Sequence, residues 1–357
     1  MPFEKQNLCF MTTFSDQIIL WHRQHGRHDL PWQGTLDPYK IWVSEIMLQQ
    51  TQVSTVIPYF ERFMRHFPTV NSLAQAEIDD VLHLWTGLGY YARGRNLHKA
   101  AQQIMHEFDG QFPKNLEDIM SLAGIGRSTA GAILSFAFSL RHPILDGNVK
   151  RVLSRVFGIE GWYGQAAVAN TLWEIADEHT PQKDVGIYTQ AIMDFGATLC
   201  KRSKPLCEQC PIQKNCIAFQ EQRTNELPTK KPKKKIPTKE CQMVIIRNLQ
   251  GHILLQQRPP AGIWGGLWCF PQYEMNDDIP ALINKEYGLD IGDLTTGTKV
   301  KHTFSHYHLN IHTLEARLKK NKPIVDQVAD SNLLWFDNDQ GATIGLPAPI
   351  KKLLAKI

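Results

Sequence analysis

Leu122-Ala-Gly-Ile-Gly-Arg-Ser-Thr-Ala130 is the most informative segment of this 357-residue sequence. A Gly124-x-Gly126 turn separates two apolar patterns of helical period and leaves bare backbone N–H groups at the start of the second helix. A helix start of this kind binds phosphate. A glycine turn can join any two helices, but Arg127 and Lys150 add cations beside this one. The segment therefore favours contact with a nucleic acid backbone.

Two carboxylates are candidates for chemistry near this turn. Asp146 begins the next helical pattern, where the common role of an aspartate is to cap the helix, and a capped carboxylate stays ionised. Glu45 lies on a largely apolar helical face with no cation three or four residues away. Its pKa is raised if that face is buried and ordinary if its head reaches water. Cleavage of a glycosidic bond uses one protonated acid and one ionised carboxylate, so the pair predicts that chemistry provided that the two groups meet in space.

Four of the seven cysteines form the pattern Cys200-x6-Cys207-x2-Cys210-x5-Cys216. In a chain without an export signal, such a cluster indicates metal ligands rather than disulfides. Four thiolates in one short loop can enclose a [4Fe-4S] cluster. The alternative is a four-cysteine zinc site, which usually shows two C-x2-C pairs, whereas this loop has one. The spacing favours the iron–sulfur cluster over zinc.

The overall composition is that of a globular protein, with 43% hydrophobic residues, a net charge of +4 and a pI near 8.6. The mild basicity is weak evidence for a nucleic acid partner. No apolar run is long enough to span a bilayer. Residues 1–13 lack the charged start and apolar core of a secretion signal. We therefore expect a cytoplasmic monomer without a membrane partner.

Composition and periodicity divide the chain into three parts. Residues 1–224 have helical period, which predicts an all-α region with the glycine turn inside a helical hairpin at about 118–140. Residues 225–240 contain three prolines and a run of lysines, which is typical of a linker. Residues 241–357 alternate with a period of two in several segments and include two short helical patterns. The last part is therefore expected to be a small α+β domain.

These features together resemble the helix-hairpin-helix DNA glycosylases that carry an iron–sulfur loop, which corresponds to residues 200–216 here. The resemblance is closest to the adenine DNA glycosylases of the MutY type. The resemblance covers nearly the whole chain. Besides the hairpin and the cysteines, four segments carry it: Leu30-Pro-Trp32, Trp42-Val-Ser-Glu-Ile-Met-Leu-Gln-Gln-Thr-Gln-Val53, Gly87-Leu-Gly-Tyr-Tyr-Ala-Arg93 and Asp146-Gly-Asn-Val-Lys-Arg151. It implies a base-excision repair enzyme that releases adenine opposite 8-oxoguanine or guanine in duplex DNA, and a [4Fe-4S] cofactor.

The resemblance also implies roles for individual residues. By position, Glu45 would protonate the flipped adenine at N7. Asp146 would stabilise the sugar cation or form a transient adduct with it, and Asn148 would support that site. The residues that would line the adenine pocket are Leu30, Trp32 and Gln190. The residues that would contact DNA, probe the lesion pair or fill the gap left by flipping are Gln50, Thr51, Tyr90, Gly124, Gly126, Ser128 and Lys150.

Ser128 distinguishes a resemblance to the MutY-type enzymes from a resemblance to the endonuclease III-type glycosylase–lyases. The glycosylase–lyases of the endonuclease III kind carry a lysine at this position as Schiff-base nucleophile, and serine cannot form an imine. The resemblance therefore implies hydrolysis by water without a lysine-based lyase step.

Two rival functions are an endonuclease III-like glycosylase–lyase for damaged pyrimidines and a non-catalytic, redox-sensing DNA-binding protein. His28 and Gln190 depart from residues found in other members, which leaves the hydrogen bonds to adenine open.

Residues 241–357 resemble the Nudix fold, in which clustered glutamates on a helix hold Mg²⁺. The corresponding segment here offers one glutamate, Glu286, which is too few oxygen ligands for a hydrolytic metal site. We therefore expect a Nudix-like recognition module without hydrolase activity. Its segment His302-Thr-Phe-Ser-His306 matches the family loop that contacts 8-oxoguanine, which implies that role for Phe304, Ser305 and His306.

Overall fold

The computed structural model of the chain describes residues 13–232, 236–260, 262–320, 332–337 and 344–357. It contains two compact units. The first unit combines residues 1–71 with 100–233, and the second combines residues 72–99 with 234–357. The middle of the expected linker, residues 233–235, lies outside the described residues. The boundaries 1–224, 225–240 and 241–357 stay a prediction.

The first unit is helical throughout its described part. Short segments of left-handed or extended backbone end several of its helices, and a π-helical turn, Phe195–Leu199, follows the last long one. None of the helices formed by the described residues has the length and apolar character needed to cross a bilayer. The helices, including α4 to α6 at or beyond the unit boundary, are α1 Phe14–His25, α2 Pro38–Leu48, α3 Val53–His66, α4 Val70–Ala74, α5 Ile78–Trp85, α6 Ala92–Glu107, α7 Leu116–Ser121, α8 Arg127–Phe138, α9 Gly147–Val156, α10 Ala166–Glu178, α11 Val185–Asp194 and α12 Ile217–Gln220.

Local sequence explains where these helices begin. Thr13 and Asp16 form a reciprocal capping box at the start of α1. Asp37 caps α2, and Pro38 occupies the first helical position, where its missing N–H costs nothing. The apolar period of residues 37–57 predicts one helical segment. In the structure the helix is interrupted between Leu48 and Val53, where Gln50 has a φ of +58°. The continuous apolar face hides this break because both helices bury their apolar residues.

The core of the first unit lies between α1, α8, α9 and α11. Its buried side chains include Ile18, Val152, Ile192 and Phe195, and Trp21 packs edge-on against Phe195 with ring centroids 5.0 Å apart. Cys216 and Ala218 belong to the same cluster. The cysteine loop is therefore continuous with the core that holds α9 and α11.

The second unit contains a mixed sheet with α13 packed on one face. Among the described residues the strand order is β3-β2-β1-β6-β5, with β4 added to β1 and β7 added to β2; β1 and β6 are parallel and the other pairs antiparallel. Val244, Leu254 and Ile283 lie in its core. The elements are β1 Thr238–Arg247, β2 Ile253–Gln257, β3 Trp268–Cys269, β4 Gln272–Tyr273, α13 Ile279–Tyr287, β5 Thr295–Thr303, β6 His308–Arg317, β7 Leu333–Phe336 and α14 Ala348–Leu354.

The expected all-α region followed by an α+β domain is confirmed. The sequence predicts strands at residues 242–248, 252–258, 308–318 and 332–336, and the structure has β1, β2, β6 and β7 there. The sequence pattern missed β3 and β4, which have two residues each, and β5, where a register shift between Thr296 and Lys299 interrupts the alternation. The helices of residues 72–99 group with the C-terminal part of the chain, and nothing in their helical period signals that association.

Candidate active site and cysteine loop

Asp146 is the N-cap of α9. Its Oδ1 accepts hydrogen bonds from the backbone N–H groups of Asn148 at 3.0 Å and Val149 at 2.8 Å. Burial raises the pKa of Asp146 above its ordinary value, and the two cap hydrogen bonds only partly oppose that effect. The sequence predicted a carboxylate kept ionised by its cap; the structure adds a desolvation that works against the charge.

Asn148 and Arg151 connect Asp146 to the backbone before the cysteine loop. The Asn148 side-chain amide donates to Asp146 Oδ2 at 3.2 Å, and Arg151 Nη2 donates to Asn148 Oδ1 at 2.8 Å. The same guanidinium donates to the carbonyls of Gly196 at 2.6 Å and Cys200 at 2.8 Å. A Cβ on Gly196 would lie 2.6 Å from Asn148 Cβ, so glycine is needed for this close approach.

Ser128 supports the chain just before Asp146. Its hydroxyl accepts a hydrogen bond from the Leu145 N–H at 2.9 Å. Ser128 stands in the first turn of α8, which begins at Arg127. The Ser128 hydroxyl, on α8, therefore holds the extended backbone that leads into α9.

Glu45 lies on α2 and is half-buried. Burial first, and the neighbouring charge of Asp146 second, raise the pKa of Glu45 to about 8. Of the two alternatives that the sequence left open, the structure has the buried one with the raised pKa, and the Asp146 charge that contributes to it comes from a neighbouring carboxyl group. At neutral pH this arrangement offers a protonated acid facing a second carboxyl group.

Two cavities meet at Glu45. One, of about 150 Å³, is lined by Asp146, Ser128, Asn148 and Leu30. The other, of about 380 Å³, is lined by His28, Ser44 and polar residues of the α1–α2 connection. The side chains that line both are Glu45, Trp32, Gln190 and Arg27. The structure thus brings together all the catalytic and adenine-pocket residues named from the sequence.

Gln190 is oriented by a buried ion pair. Its amide donates to Asp194 Oδ1 at 2.8 Å, and Asp194 is fully buried. Arg27 donates to the same carboxylate through its backbone N–H at 2.8 Å and through its guanidinium. Burial raises the pKa of Asp194, but hydrogen bonds from His22 and Arg27 outweigh it and leave the pKa below its ordinary value. A buried, fully paired carboxylate of this kind fixes its neighbours in one geometry.

The hairpin formed by α7 and α8 has the expected open helix start. Gly124 has a φ of +79°, and Gly126 caps α8 with no side-chain hydrogen bond to the first turn. Both glycines are exposed. The Lys150 ammonium lies 5.3 Å from the Tyr163 ring centroid. The backbone N–H groups of the α8 start are therefore accessible to an anion.

Two exposed residues with left-handed backbone stand among the proposed DNA contacts. Gln50 follows the end of α2, with Thr51 beside it, and has a φ of +58°. Tyr90, in the second unit, has a φ of +49° and a side chain that is 52% exposed. Large non-glycine residues rarely adopt this conformation, and when they do the position is often functional.

The four cysteines of the loop line one cavity beside α9 and the π-helical turn. Arg155, which is buried, donates to Cys200 Sγ at 3.4 Å and to the Lys201 carbonyl at 2.7 Å. Cys216 Sγ donates to the Arg155 carbonyl at 3.5 Å. The described residues contain no group of three or more His, Cys, Asp or Glu side chains that could hold a metal ion.

The loop proposed for lesion recognition joins β5 to β6. Ser305 and His306 are exposed, Phe304 is half-buried, and the Phe304 ring lies 4.9 Å from that of the buried Tyr307. Glu286 accepts a hydrogen bond from the Tyr273 hydroxyl at 3.4 Å.

The sequence did not reveal Arg151, Arg155 or the Arg27–Asp194 pair. Arg151 lies three residues after Asn148 on one helix, and this spacing could have suggested the contact. Asp194 has no such signal because its cationic partner is 167 residues away.

Comparisons with known proteins show which families the two parts of the chain match. Residues 43–178 match the family described as "HhH-GPD superfamily base excision DNA repair protein", and residues 242–356 match the NUDIX domain. An adenine DNA glycosylase of Buchnera aphidicola (subspecies Acyrthosiphon pisum) is 40% identical over 343 residues, which cover 96% of both chains. The human adenine DNA glycosylase is 31% identical and aligns with 98% of this chain and 74% of its own.

Solved structures resemble the helical part. A thermostable thymine-DNA glycosylase is 26% identical, has a TM-score of 0.52, and covers 58% of this chain and 95% of its own. An endonuclease III bound to DNA without a covalent link is 20% identical with a TM-score of 0.50, over 58% of this chain and 94% of its own. The second likeness concerns the fold alone.

Proposed function

Because the chain belongs to the adenine DNA glycosylase family of base-excision repair enzymes, we propose that it releases adenine from duplex DNA in which adenine faces 8-oxoguanine or guanine. The observation that carries the proposal is that Glu45 and Asp146 line the same cavity. Burial and the neighbouring charge of Asp146 raise the pKa of Glu45 to about 8, which favours its protonated form at neutral pH. Such a pair of carboxyl groups suits acid-assisted cleavage of a glycosidic bond.

Glu45 is the proton donor in this mechanism. A flipped adenine enters the cavity of about 150 Å³ between Leu30, Trp32 and Gln190, and Glu45 transfers its proton to N7, which turns the base into a neutral leaving group. The amide of Gln190 is held by Asp194, so its carbonyl oxygen is free to accept from the adenine amino group. Flipping costs a few kcal/mol, which contacts to the extruded base offset.

Asp146 stabilises the positive charge that develops on the sugar. The Asn148 amide and the two cap N–H groups hold its oxygens in place. Water completes the hydrolysis. Ser128 is engaged with the Leu145 N–H and has no amine, so the chain lacks a nucleophile at this position for cutting the strand.

DNA contacts are assigned to both units. In the first, the open start of α8 at Gly124 and Gly126 binds a backbone phosphate with help from Lys150. Gln50 and Thr51 follow α2, which carries Glu45, and probe the lesion pair. In the second, exposed Tyr90 fills the gap left by flipping. Phe304, Ser305 and His306 read the 8-oxoguanine.

We assign a [4Fe-4S] cluster to the cysteine loop from the number, type and spacing of its ligands. Cys200, Cys207, Cys210 and Cys216 supply four thiolates around one cavity, and the buried Arg155 guanidinium offsets part of their negative charge. When bound, the cluster would fix the loop and with it the Cys200 carbonyl that Arg151 contacts. Iron analysis tests this assignment: about four iron atoms per chain are expected, and stoichiometric zinc would overturn it.

The test of the main proposal is a single-turnover assay with the full-length chain in excess over duplexes that carry A·8-oxoguanine, A·G or A·T. Alkali then converts abasic sites into strand breaks. Adenine release from the first two duplexes and none from A·T is expected. Equal release from A·T, or none from A·8-oxoguanine, would overturn the proposal. Glu61→Gln on α3, an exposed position, is the matched control for Glu45→Gln.

A further inference from the structure

Trp264 has an unusual backbone for a buried aromatic residue. Its φ is +56°, in the left-handed region, and its side chain is only 8% exposed. A bulky side chain in this conformation is strained, and such strain persists only where the surroundings fix it. Gly266, two residues further on, also has left-handed backbone, with a φ of +72°. The indole is therefore held here for a contact that it makes.

The ring contacts of Trp264 are with the end of β5 and with the loop that joins β5 to β6. Its ring centroid lies 5.4 Å from that of Phe304 and 5.6 Å from that of His302. The His302 and Phe304 rings are themselves 4.5 Å apart, edge to face. Aromatic pairs at these distances stabilise one arrangement of the rings. Trp264 thus forms the support beneath Phe304.

The turn that carries Trp264 is fastened to residues 72–99, which belong to the same unit. Arg95 Nη1 donates to the Gly265 carbonyl at 2.6 Å, and Gln257 Nε2 donates to the Gly266 carbonyl at 3.3 Å. Gly265 has no room for a side chain, because a Cβ would lie 2.3 Å from the Pro260 carbonyl oxygen. Arg95 is therefore one of the contacts that hold the turn that carries Trp264.

Arg95 lies on α6, directly after the loop that presents Tyr90. Arg93 donates to the Gly89 carbonyl at 3.1 Å, and the Tyr91 hydroxyl donates to the Leu346 carbonyl at 2.9 Å. These bonds fix the Tyr90 loop to α6 and to the C-terminal segment. Tyr90 and Phe304 are therefore connected through Arg95 and Trp264 within one compact unit.

We propose that Trp264 and Arg95 are positioning residues for recognition of the base opposite adenine: Trp264 supports Phe304, and Arg95 holds the Trp264 turn on the helix that follows Tyr90. The inference rests on the proposed role of Phe304–His306. It adds that the residue filling the flipped-base gap and the loop reading the opposing base keep a fixed separation.

The test compares single-turnover adenine release from A·8-oxoguanine and A·G duplexes by the full-length chain. Trp264→Gly removes the ring while tolerating the left-handed backbone, and Trp264→Phe keeps an aromatic ring. Trp264→Gly should lower the ratio of the A·8-oxoguanine rate to the A·G rate about threefold to tenfold. This factor corresponds to the interaction energy of one or two aromatic pairs. Trp264→Phe should restore most of the ratio, and the half-buried Trp335→Leu in β7 should leave it unchanged.

Arg95→Met should lower the same ratio, and combining it with Trp264→Gly should add little, because the two residues act in one connection. Fully additive effects, or an unchanged ratio in both single variants, would overturn the inference. Phe304→Ala separates it from the proposed function. If Phe304→Ala also leaves the ratio unchanged, the loop assignment itself is wrong; if only Phe304→Ala lowers it, the support by Trp264 is wrong. Arg95→Met also keeps the test valid if Trp264→Gly fails to fold.

Discussion

Replacing Glu45 with glutamine tests both the catalytic and the electrostatic assignment of this residue. The substitution keeps the shape of the side chain and removes its proton. General acid catalysis contributes about 10²-fold to 10⁴-fold, so adenine release by Glu45→Gln should slow by that factor. Binding of the A·8-oxoguanine duplex, measured by fluorescence anisotropy, should change little because the charge at neutral pH is the same.

The same substitution should stabilise the protein at high pH. The pKa of Glu45 rises from 4.5 to about 8 on folding, so the folded state binds more protons than the unfolded state between these values. Stability is therefore lost as pH rises through this window. At about 1.36 kcal/mol per pH unit, the full loss is at most about 5 kcal/mol above pH 8 and about 3 kcal/mol at pH 7.

Urea unfolding at pH 5, 7 and 9 measures this effect. The stability of Glu45→Gln minus that of the wild type should grow across the series by a few kcal/mol, whereas Glu61→Gln should show no such trend. The wild-type rate of adenine release should fall as pH rises through about 8, because the acid loses its proton. A constant stability difference, together with a rate that is flat from pH 6 to beyond pH 9, would refute a protonated Glu45.

Asp146→Asn keeps a capping side chain but removes the charge, and should slow adenine release by about 10²-fold to 10³-fold in the single-turnover assay without loss of duplex binding; an unchanged rate would exclude Asp146 from the chemistry. Ser128→Lys should give a borohydride-trapped covalent complex with DNA that the wild type does not form, seen as a shifted band on a denaturing gel. Gly196→Ala should lower the free energy of unfolding by about 1–3 kcal/mol through overpacking, since its Cβ would lie 2.6 Å from Asn148 Cβ, while Gly147→Ala, with nothing within 4 Å, should not.

The sequence predicted the parts of the site that obey local rules. The glycine turn, the cap at Asp146 and the apolar face around Glu45 each follow from a few neighbouring residues, and the structure has all three. The absence of a helical partner for Glu45 is visible in the sequence, but the burial that raises its pKa is not, so the sequence left a raised and an ordinary pKa open. The proximity of Glu45 to Asp146 could not be predicted either, because 100 residues and several helices intervene.

The missed residues act over long distances in the chain. Arg27 meets Asp194 across 167 positions, and Arg155 reaches Cys200 and the Leu227 carbonyl from the buried side of α9. An arginine on an amphipathic helix is expected to face water, so periodicity alone places Arg155 wrongly. What overrides the pattern is a set of backbone carbonyls that only the folded loop presents.

Left-handed backbone at non-glycine residues is another feature that local rules do not predict. Eight described non-glycine residues have it, and Gln50, Tyr90 and Trp264 are three of them. Gln50 and Tyr90 are exposed, so core packing does not explain their conformation, whereas contact with an inserted duplex would. Trp264 is buried and supports Phe304. Replacing Gln50 with glycine should therefore stabilise the fold and, if the proposed role of Gln50 holds, weaken recognition of the lesion pair.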